Sequence, residues 1–285
     1  MRVKKVAVVG AGIMGRGIAQ VSAHGGFQTV LQDIDRGQLD AAVASARKSL
    51  DKQVELEKVS RDEANEALDR LRTTTNLAEA ADGADLVIEA APEKIELKLQ
   101  IFADLDRIAK PDCVLASNTS SLSITEMAAA TRRPERVLGM HFFNPVPRMS
   151  LVEIVRALET DELVIDTALE VARRMRKECV VVRESPGFIT SRINAMIGNE
   201  AFYLLQEGVA SARDIDKALK LGLNHPMGPF ELVDLVGLDT RLAILQYLHK
   251  TLGEKYRPAP LLVQYVKAGR LGKKVGLGVY EYDVE

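Results

Sequence analysis

Two groups of residues have types and spacings suited to chemistry. The first is Gly10-Ala11-Gly12-Ile13-Met14-Gly15, which follows the apolar run Val3 to Val9 and leads into the helical pattern of Ile18, Ala19 and Val21. In the order strand, turn, helix, Gly10 permits a tight turn, Gly12 lets the backbone approach a pyrophosphate and Gly15 lets helix and strand pack closely. The phosphates then sit on the helix N-terminus, where Ile13 and Met14 lie. Such a turn is a weak signal alone. It gains weight from a second strand ending at Asp33, eighteen residues after Gly15, where a carboxylate would accept from the adenosine ribose hydroxyls and repel a 2′-phosphate. That favours NAD over NADP, with Arg36 close by as the one contrary sign. A Gly-rich turn that binds nothing is the alternative, and the strands on both sides argue against it.

The second group is His141 and Glu153. His141 ends the run Val137 to Met140, Glu153 lies in Leu151 to Val155, and Pro145-Val146-Pro147 separates them. In a hairpin centred near Pro147 the two positions, each six residues from the centre, face one another. A carboxylate facing an imidazole fixes its tautomer and stabilises the imidazolium, which makes a general base. Alone, His141 would read as a satisfied core histidine, but it is one of four histidines and sits at a strand end, where α/β sheets bind their ligands. Ser117-Asn118-Thr119-Ser120-Ser121 follows Val114 to Ala116 in the same way, and five small polar residues exceed what a helix cap before Ile124 requires.

These sites need a sheet to carry them. Short β-branched runs at Val6 to Val9, Thr29 to Leu31, Leu86 to Ile88, Val114 to Ala116, Val137 to Met140, Leu151 to Val155 and Val180 to Val182 alternate with helical segments. The pattern predicts an α/β, doubly wound, mostly parallel Rossmann-type sheet. Asp35 to Leu71 is longer than a crossover needs and reads as a projecting helical hairpin, with Ser60-Arg61-Asp62-Glu63 as a capping box and Leu68 and Leu71 on the apolar side. Its outer part carries Arg47, Lys48, Lys52, Lys58 and Arg61 among Glu55 and Glu57. A solvated charged face is the first reading and a clamp for a phosphate-bearing substrate the second. After Pro186-Gly187 the strand signal gives way to helical periodicity at Ile189 to Gln206, Ala212 to Leu221 and Phe230 to Leu252. The expected organisation is a nucleotide-binding domain over 1–185 and an all-α C-terminal domain over 186–285.

Of the 285 residues 47% are hydrophobic and 27% charged, enough for a substantial core. A formal net charge of -2 supplies no global field for nucleic acid or an anionic membrane. Apolar stretches are strand-length and the first strand begins at Val3, so the chain reads as cytoplasmic, without signal peptide or membrane span. Cys113 and Cys179 flank apolar runs and read as small buried groups. Neither a disulfide framework nor a metal-ligand spacing is present.

The motifs quoted so far occur with Glu89-Ala90-Ala91-Pro92-Glu93, Ser117 to Leu122, His141-Phe142-Phe143-Asn144-Pro145, Pro186-Gly187-Phe188 and His225-Pro226-Met227-Gly228-Pro229. Together they resemble the L-3-hydroxyacyl-CoA dehydrogenase family, in particular its short bacterial 3-hydroxybutyryl-CoA members, over essentially the whole chain. The resemblance implies NAD-linked oxidation of a 3-hydroxyacyl-CoA to the 3-ketoacyl-CoA, or the reverse, in fatty acid metabolism. It implies a homodimer whose helical domain supplies the subunit contact and part of the substrate cleft. His141 would take the hydroxyl proton while C3 passes hydride to the nicotinamide, Glu153 would orient His141, and Ser120 would hold the substrate oxygen. Ala90, Glu93, Lys98, Asn118, Ser120, Asn144 and Lys274 would contact the cofactor, and Ser49 and Lys52 the CoA.

The family pattern after Pro-Gly-Phe places an asparagine before the arginine, where this chain has Ser191 before Arg192. In the family that asparagine helps polarise the substrate oxygen, so Ser191, a bridging water or Asn194 one helical turn later would have to take over. Two other readings remain: a dehydrogenase of a non-CoA 3-hydroxy acid such as a sugar acid or carnitine, and a catalytically silent dinucleotide-binding protein.

Overall fold

The computed structural model describes residues 2–283. By their contacts these form two compact units, divided between residues 185 and 186. In the first, eight strands run β1 (Lys5–Val9), β2 (Gln28–Gln32), β3 (Leu71–Thr74), β4 (Leu86–Glu89), β5 (Val114–Ser117), β6 (Val137–Phe142), β7 (Leu151–Arg156) and β8 (Glu178–Arg183). They form one sheet in the order β3-β2-β1-β4-β5-β6-β7-β8. Every neighbouring pair is parallel except β6 with β7. The sheet is doubly wound and mostly parallel, as the alternating pattern predicts. Val6, Ala7, Val8, Leu86, Val87, Ile88, Val114 and Leu115 are all 0% exposed, because helices cover both faces of the central strands.

Helices α1 (Ile13–His24), α2 (Arg36–Glu55), α3 (Arg61–Arg70), α4 (Leu77–Ala81), α5 (Ile95–Ile108), α6 (Ile124–Ala129) and α7 (Glu162–Arg174) connect the strands. The long excursion is indeed two helices. Asp35 caps α2 by accepting from the Gly37 N–H at 2.8 Å. At α3 the Ser60 hydroxyl accepts from the Glu63 N–H at 3.1 Å and the Glu63 carboxylate from the Ser60 N–H at 2.8 Å, closing both halves of the capping box. Leu39, Ala42, Ala46 and Leu50 face inward, α3 packs on both α1 and α2, and its Ala64 and Ala67 are buried in a cluster with Leu50 and Val59. Leu71 departs from expectation: it opens the edge strand β3. Val3 is 3% exposed but lies ahead of β1.

The second unit holds α8 (Thr190–Gln206), α9 (Ala212–Gly222), α10 (Pro229–Val236), α11 (Leu238–Leu252) and α12 (Pro260–Lys267) around Phe202, Phe230, Leu245, Leu248 and Leu262. The continuous helical pattern Phe230 to Leu252 is broken at Gly237, whose φ of +105° ends α10 and starts α11. Two buried carboxylates tie the C-terminal turn to these helices. Asp216 accepts from the Phe230 N–H and the Tyr280 hydroxyl, and Asp234 from the Val279 and Tyr280 N–H groups and the Tyr282 hydroxyl. Cys113 is 0% exposed and burial pushes its thiol up to about 12. Among the described residues no helix is long and apolar enough to cross a membrane.

Candidate active site

The Gly-rich turn sits between β1 and α1 at the carboxyl edge of the parallel strands. Gly10 has φ +98°, and a Cβ there would come within 2.7 Å of the Ala90 carbonyl oxygen. A Cβ on Gly15 would lie 1.7 Å from the Gly10 oxygen, so the packing of helix on turn requires glycine there. Gly12 is different: its φ is ordinary and a Cβ would meet nothing within 4 Å. The only demand for glycine at position 12 is therefore space above the N-terminus of α1, where the N–H groups of Ile13, Met14 and Gly15 have no carbonyl a turn earlier in their own helix. Anion-binding amides beneath an open approach fit a dinucleotide pyrophosphate.

Asp33 follows β2 and lies against this turn. One oxygen accepts from the Ala11 N–H at 2.7 Å and the other from the Asp35 N–H at 3.0 Å. The carboxylate thus fixes the path of the turn, and each oxygen keeps a lone pair for a ribose hydroxyl. Arg36 is turned to Asp40, 3.5 Å away.

His141 lies at the end of β6 and Glu153 near the start of β7. Because β7 runs antiparallel to β6, the end of one strand and the start of the other reach the same edge of the sheet, and the register places the two residues directly opposite. The His141 Nδ1 and Glu153 Oε2 are 2.7 Å apart, with side chains 8% and 0% exposed. Phe143 packs its ring 4.5 Å from the imidazole. Asn118, after β5, accepts from the Phe142 N–H at 2.9 Å and so ties the next strand end to the histidine strand. Ser120 donates its backbone N–H to Glu93 at 3.2 Å, and Ala90 borders Gly10. Gly10, Gly12, Ile13, Met14, Gly15, Asp33, Ala90, Glu93, Asn118, Ser120, His141 and Glu153 thus gather at one edge. Asn144, just past β6, is exposed.

Lys98 is 1% exposed and spends its ammonium inside the protein, on Glu89 at 2.6 Å, the Ala91 carbonyl at 3.1 Å and Glu93 at 3.4 Å. Ser49 accepts from Gln20 at 2.9 Å, and Lys52 pairs with Glu55 at 2.9 Å on the exposed face of α2. In the helical unit, Ser191 and Asn194 are half-buried in the first turns of α8. Lys274 pairs with Asp239 at 2.6 Å.

Two supporting residues escaped the sequence reading. Glu89 is 0% exposed at the end of β4, and the sequence places it in the Glu89-Ala90-Ala91-Pro92-Glu93 motif without giving it a role. Lys177 donates to the Val146 and Met149 carbonyls at 2.5 and 2.7 Å, holding the turn that follows Asn144. Burial lowers its pKa. Among the described residues no cluster of His, Cys, Asp and Glu could hold a metal ion.

A doubly wound sheet with this turn at its carboxyl edge, and a carboxylate-bound histidine at the same edge, defines a nicotinamide-dependent dehydrogenase. Residues 5–185 match the NAD-binding domain of 3-hydroxyacyl-CoA dehydrogenase and residues 187–282 its C-terminal domain. The chain belongs to the 3-hydroxyacyl-CoA dehydrogenase family, and is an NAD-dependent oxidoreductase. It is 48% identical over 287 residues to a probable 3-hydroxybutyryl-CoA dehydrogenase of Bacillus subtilis, covering 99% of both chains. It is also 48% identical to a 3-hydroxybutyryl-CoA dehydrogenase of Bradyrhizobium diazoefficiens, over 98% of this chain and 96% of the relative. Its fold superposes on the crystal structure of (S)-3-hydroxybutyryl-CoA dehydrogenase from Ralstonia eutropha with a TM-score of 0.96 and 43% identity, covering 99% of this chain and 100% of the other.

Proposed function

We propose that the protein interconverts (S)-3-hydroxybutyryl-CoA and acetoacetyl-CoA, with His141 as the proton-transferring group. The observation that carries the mechanism is the hydrogen bond of His141 to the fully buried Glu153. With the Nδ1–H donating its hydrogen bond to the carboxylate, Nε2 becomes the nitrogen through which the C3 hydroxyl proton passes. Glu153 holds the ring in that tautomer and balances the positive charge as it forms. Ser120 holds the substrate oxygen. The Gly-rich turn and Asp33 bind and orient the dinucleotide, which accepts hydride from C3 when bound. Glu93, Lys98, Asn118, Asn144 and Lys274 support it, and Ser49 and Lys52 take the CoA. Ser191, a bridging water or Asn194 supplies the polarising donor of the family asparagine.

The working form is a cytoplasmic homodimer joined through the helical domain. Leu235 and Leu221 of that domain are 53% and 77% exposed, which supports an apolar contact, whereas Leu238 belongs to its core. Light scattering on the purified chain tests the dimer.

The discriminating assay follows NADH absorbance with acetoacetyl-CoA beside non-CoA 3-keto acids. Turnover confined to the thioester is expected. No NADH oxidation with any acetoacyl thioester would sink the reading. Faster turnover of a free keto acid would favour the non-CoA alternative.

A further inference from the structure

We propose that Glu89 is a positioning residue for this reaction, setting the two loops that border the reaction edge without touching substrate or cofactor. Its two carboxylate oxygens take three donors: the Lys98 ammonium at 2.6 Å, the Ala91 N–H at 2.7 Å and the Ser117 hydroxyl at 2.6 Å. Its backbone carbonyl takes a fourth, the Asn118 N–H at 2.8 Å. A single residue of β4 therefore fixes the start of both the 90–93 and the 117–121 loops.

The connections run on to the residues expected to act. The Ser117 hydroxyl accepts from the Thr119 N–H at 3.2 Å, and the Thr119 hydroxyl accepts from the N–H groups of Ser121 and Leu122 at 3.3 and 3.0 Å. Glu93, held by Lys98 from the other side, takes the Thr119 hydroxyl and the Ser120 N–H. Asn118 reaches across to Phe142 beside His141. On the opposite flank Ala90 abuts Gly10. Glu89 is thus the hub between the dinucleotide turn, Ser120 and the histidine strand.

A buried ion pair gives little net stability over well-packed apolar residues. Orientation of two polar loops is what a carboxylate with three donors supplies and a hydrophobic side chain does not. A shift of about 1 Å in such a loop is enough to lower turnover about 100-fold.

The test uses the full chain with three variants: Glu89→Met combined with Lys98→Met, Ser117→Ala alone, and Asp106→Asn as a buried ion-pair control away from the site. The double variant removes both charges together and should melt within about 5 °C of wild type. Its kcat on acetoacetyl-CoA should fall about 100-fold and its NADH dissociation constant should rise about tenfold. Ser117→Ala should lower kcat about tenfold, while Asp106→Asn should lose stability and leave kcat within about twofold. A folded double variant with kcat within about threefold of wild type overturns the proposal, as does a kcat loss equal to that of Asp106→Asn. Should the double variant fail to fold, Ser117→Ala decides, and an unchanged kcat refutes. The kcat measurements rest on the acyl-CoA reading. If wild type does not turn over acetoacetyl-CoA, that reading falls, and the NADH dissociation constant of Ser117→Ala, which removes a Glu89 partner and leaves Lys98 in place, decides on Glu89: weaker binding supports it and unchanged binding overturns it.

Discussion

Glu153→Gln is the sharpest probe of the reaction edge, because it replaces a charge by an amide of the same shape. Glu153 is 0% exposed and its Oε2 lies 2.7 Å from His141 Nδ1. With charge centres about 4 Å apart at an effective dielectric near 20, the carboxylate stabilises the forming imidazolium by about 4 kcal/mol. Loss of that term corresponds to about a 10³-fold fall in kcat. Tautomer adds to this in the same direction. A glutamine that turns its NH₂ toward Nδ1 would hold the proton on Nε2, the nitrogen that must take the substrate proton. The assay is kcat for acetoacetyl-CoA reduction, with NADH affinity and thermal melting measured alongside. The expected result is a large loss of kcat with an unchanged NADH dissociation constant and a fold that still melts cooperatively. Turnover within about threefold of wild type would show that the pair is structural and that the proton passes elsewhere. A loss of kcat matched by a loss of NADH affinity would refute the separation of proton transfer from cofactor binding.

Gly12→Ala should melt as wild type does, since its Cβ meets nothing within 4 Å, yet weaken NADH binding about tenfold or more by filling the pyrophosphate approach. Gly15→Ala, whose Cβ would lie 1.7 Å from the Gly10 oxygen, should lower stability by about 3 kcal/mol in denaturant titrations. Ser191→Asn should change kcat on acetoacetyl-CoA by less than about tenfold if the compensation is complete. A gain of orders of magnitude would point to a different natural substrate. Burial pushes the Asp106 carboxyl up, but Arg132 and Arg133, each with a nitrogen 2.8 Å away, together hold it below the usual aspartate value. Its contribution is therefore present above the ordinary aspartate pKa and lost as pH falls through the lowered one. Asp106→Asn should cost about 2 kcal/mol at neutral pH, and its urea midpoint should converge on that of wild type in acid.

What the sequence makes legible follows from the range of the interactions involved. Gly10, Gly12, Gly15 and Asp33 stand out because each answers a local backbone or ligand demand. The pairing of His141 with Glu153 is readable because strand periodicity is two and the turn between them is marked by proline, so spacing alone fixes the register. Gly237 is hidden by the opposite effect: apolar periodicity continues from Phe230 to Leu252, and only a positive φ at one glycine divides the helix. The strand β3 is hidden because Leu71-Arg72-Thr73-Thr74 pairs on one side only and shows no sustained alternation. Glu89 and Lys98 are the most instructive pair. In sequence the resemblance puts Glu89 in a motif with no stated role and Lys98 among the cofactor contacts, and nothing in either reading says that the two are buried against each other. Their partners come from the turn after β4 and from the end of β5, twenty-eight residues beyond Glu89, and a pair closed by sheet order leaves no local periodicity to find. A carboxylate such as Glu89, whose partners lie on other elements, is thus placed last by a linear reading, whereas Glu153, marked by the register of an antiparallel pair, is placed first.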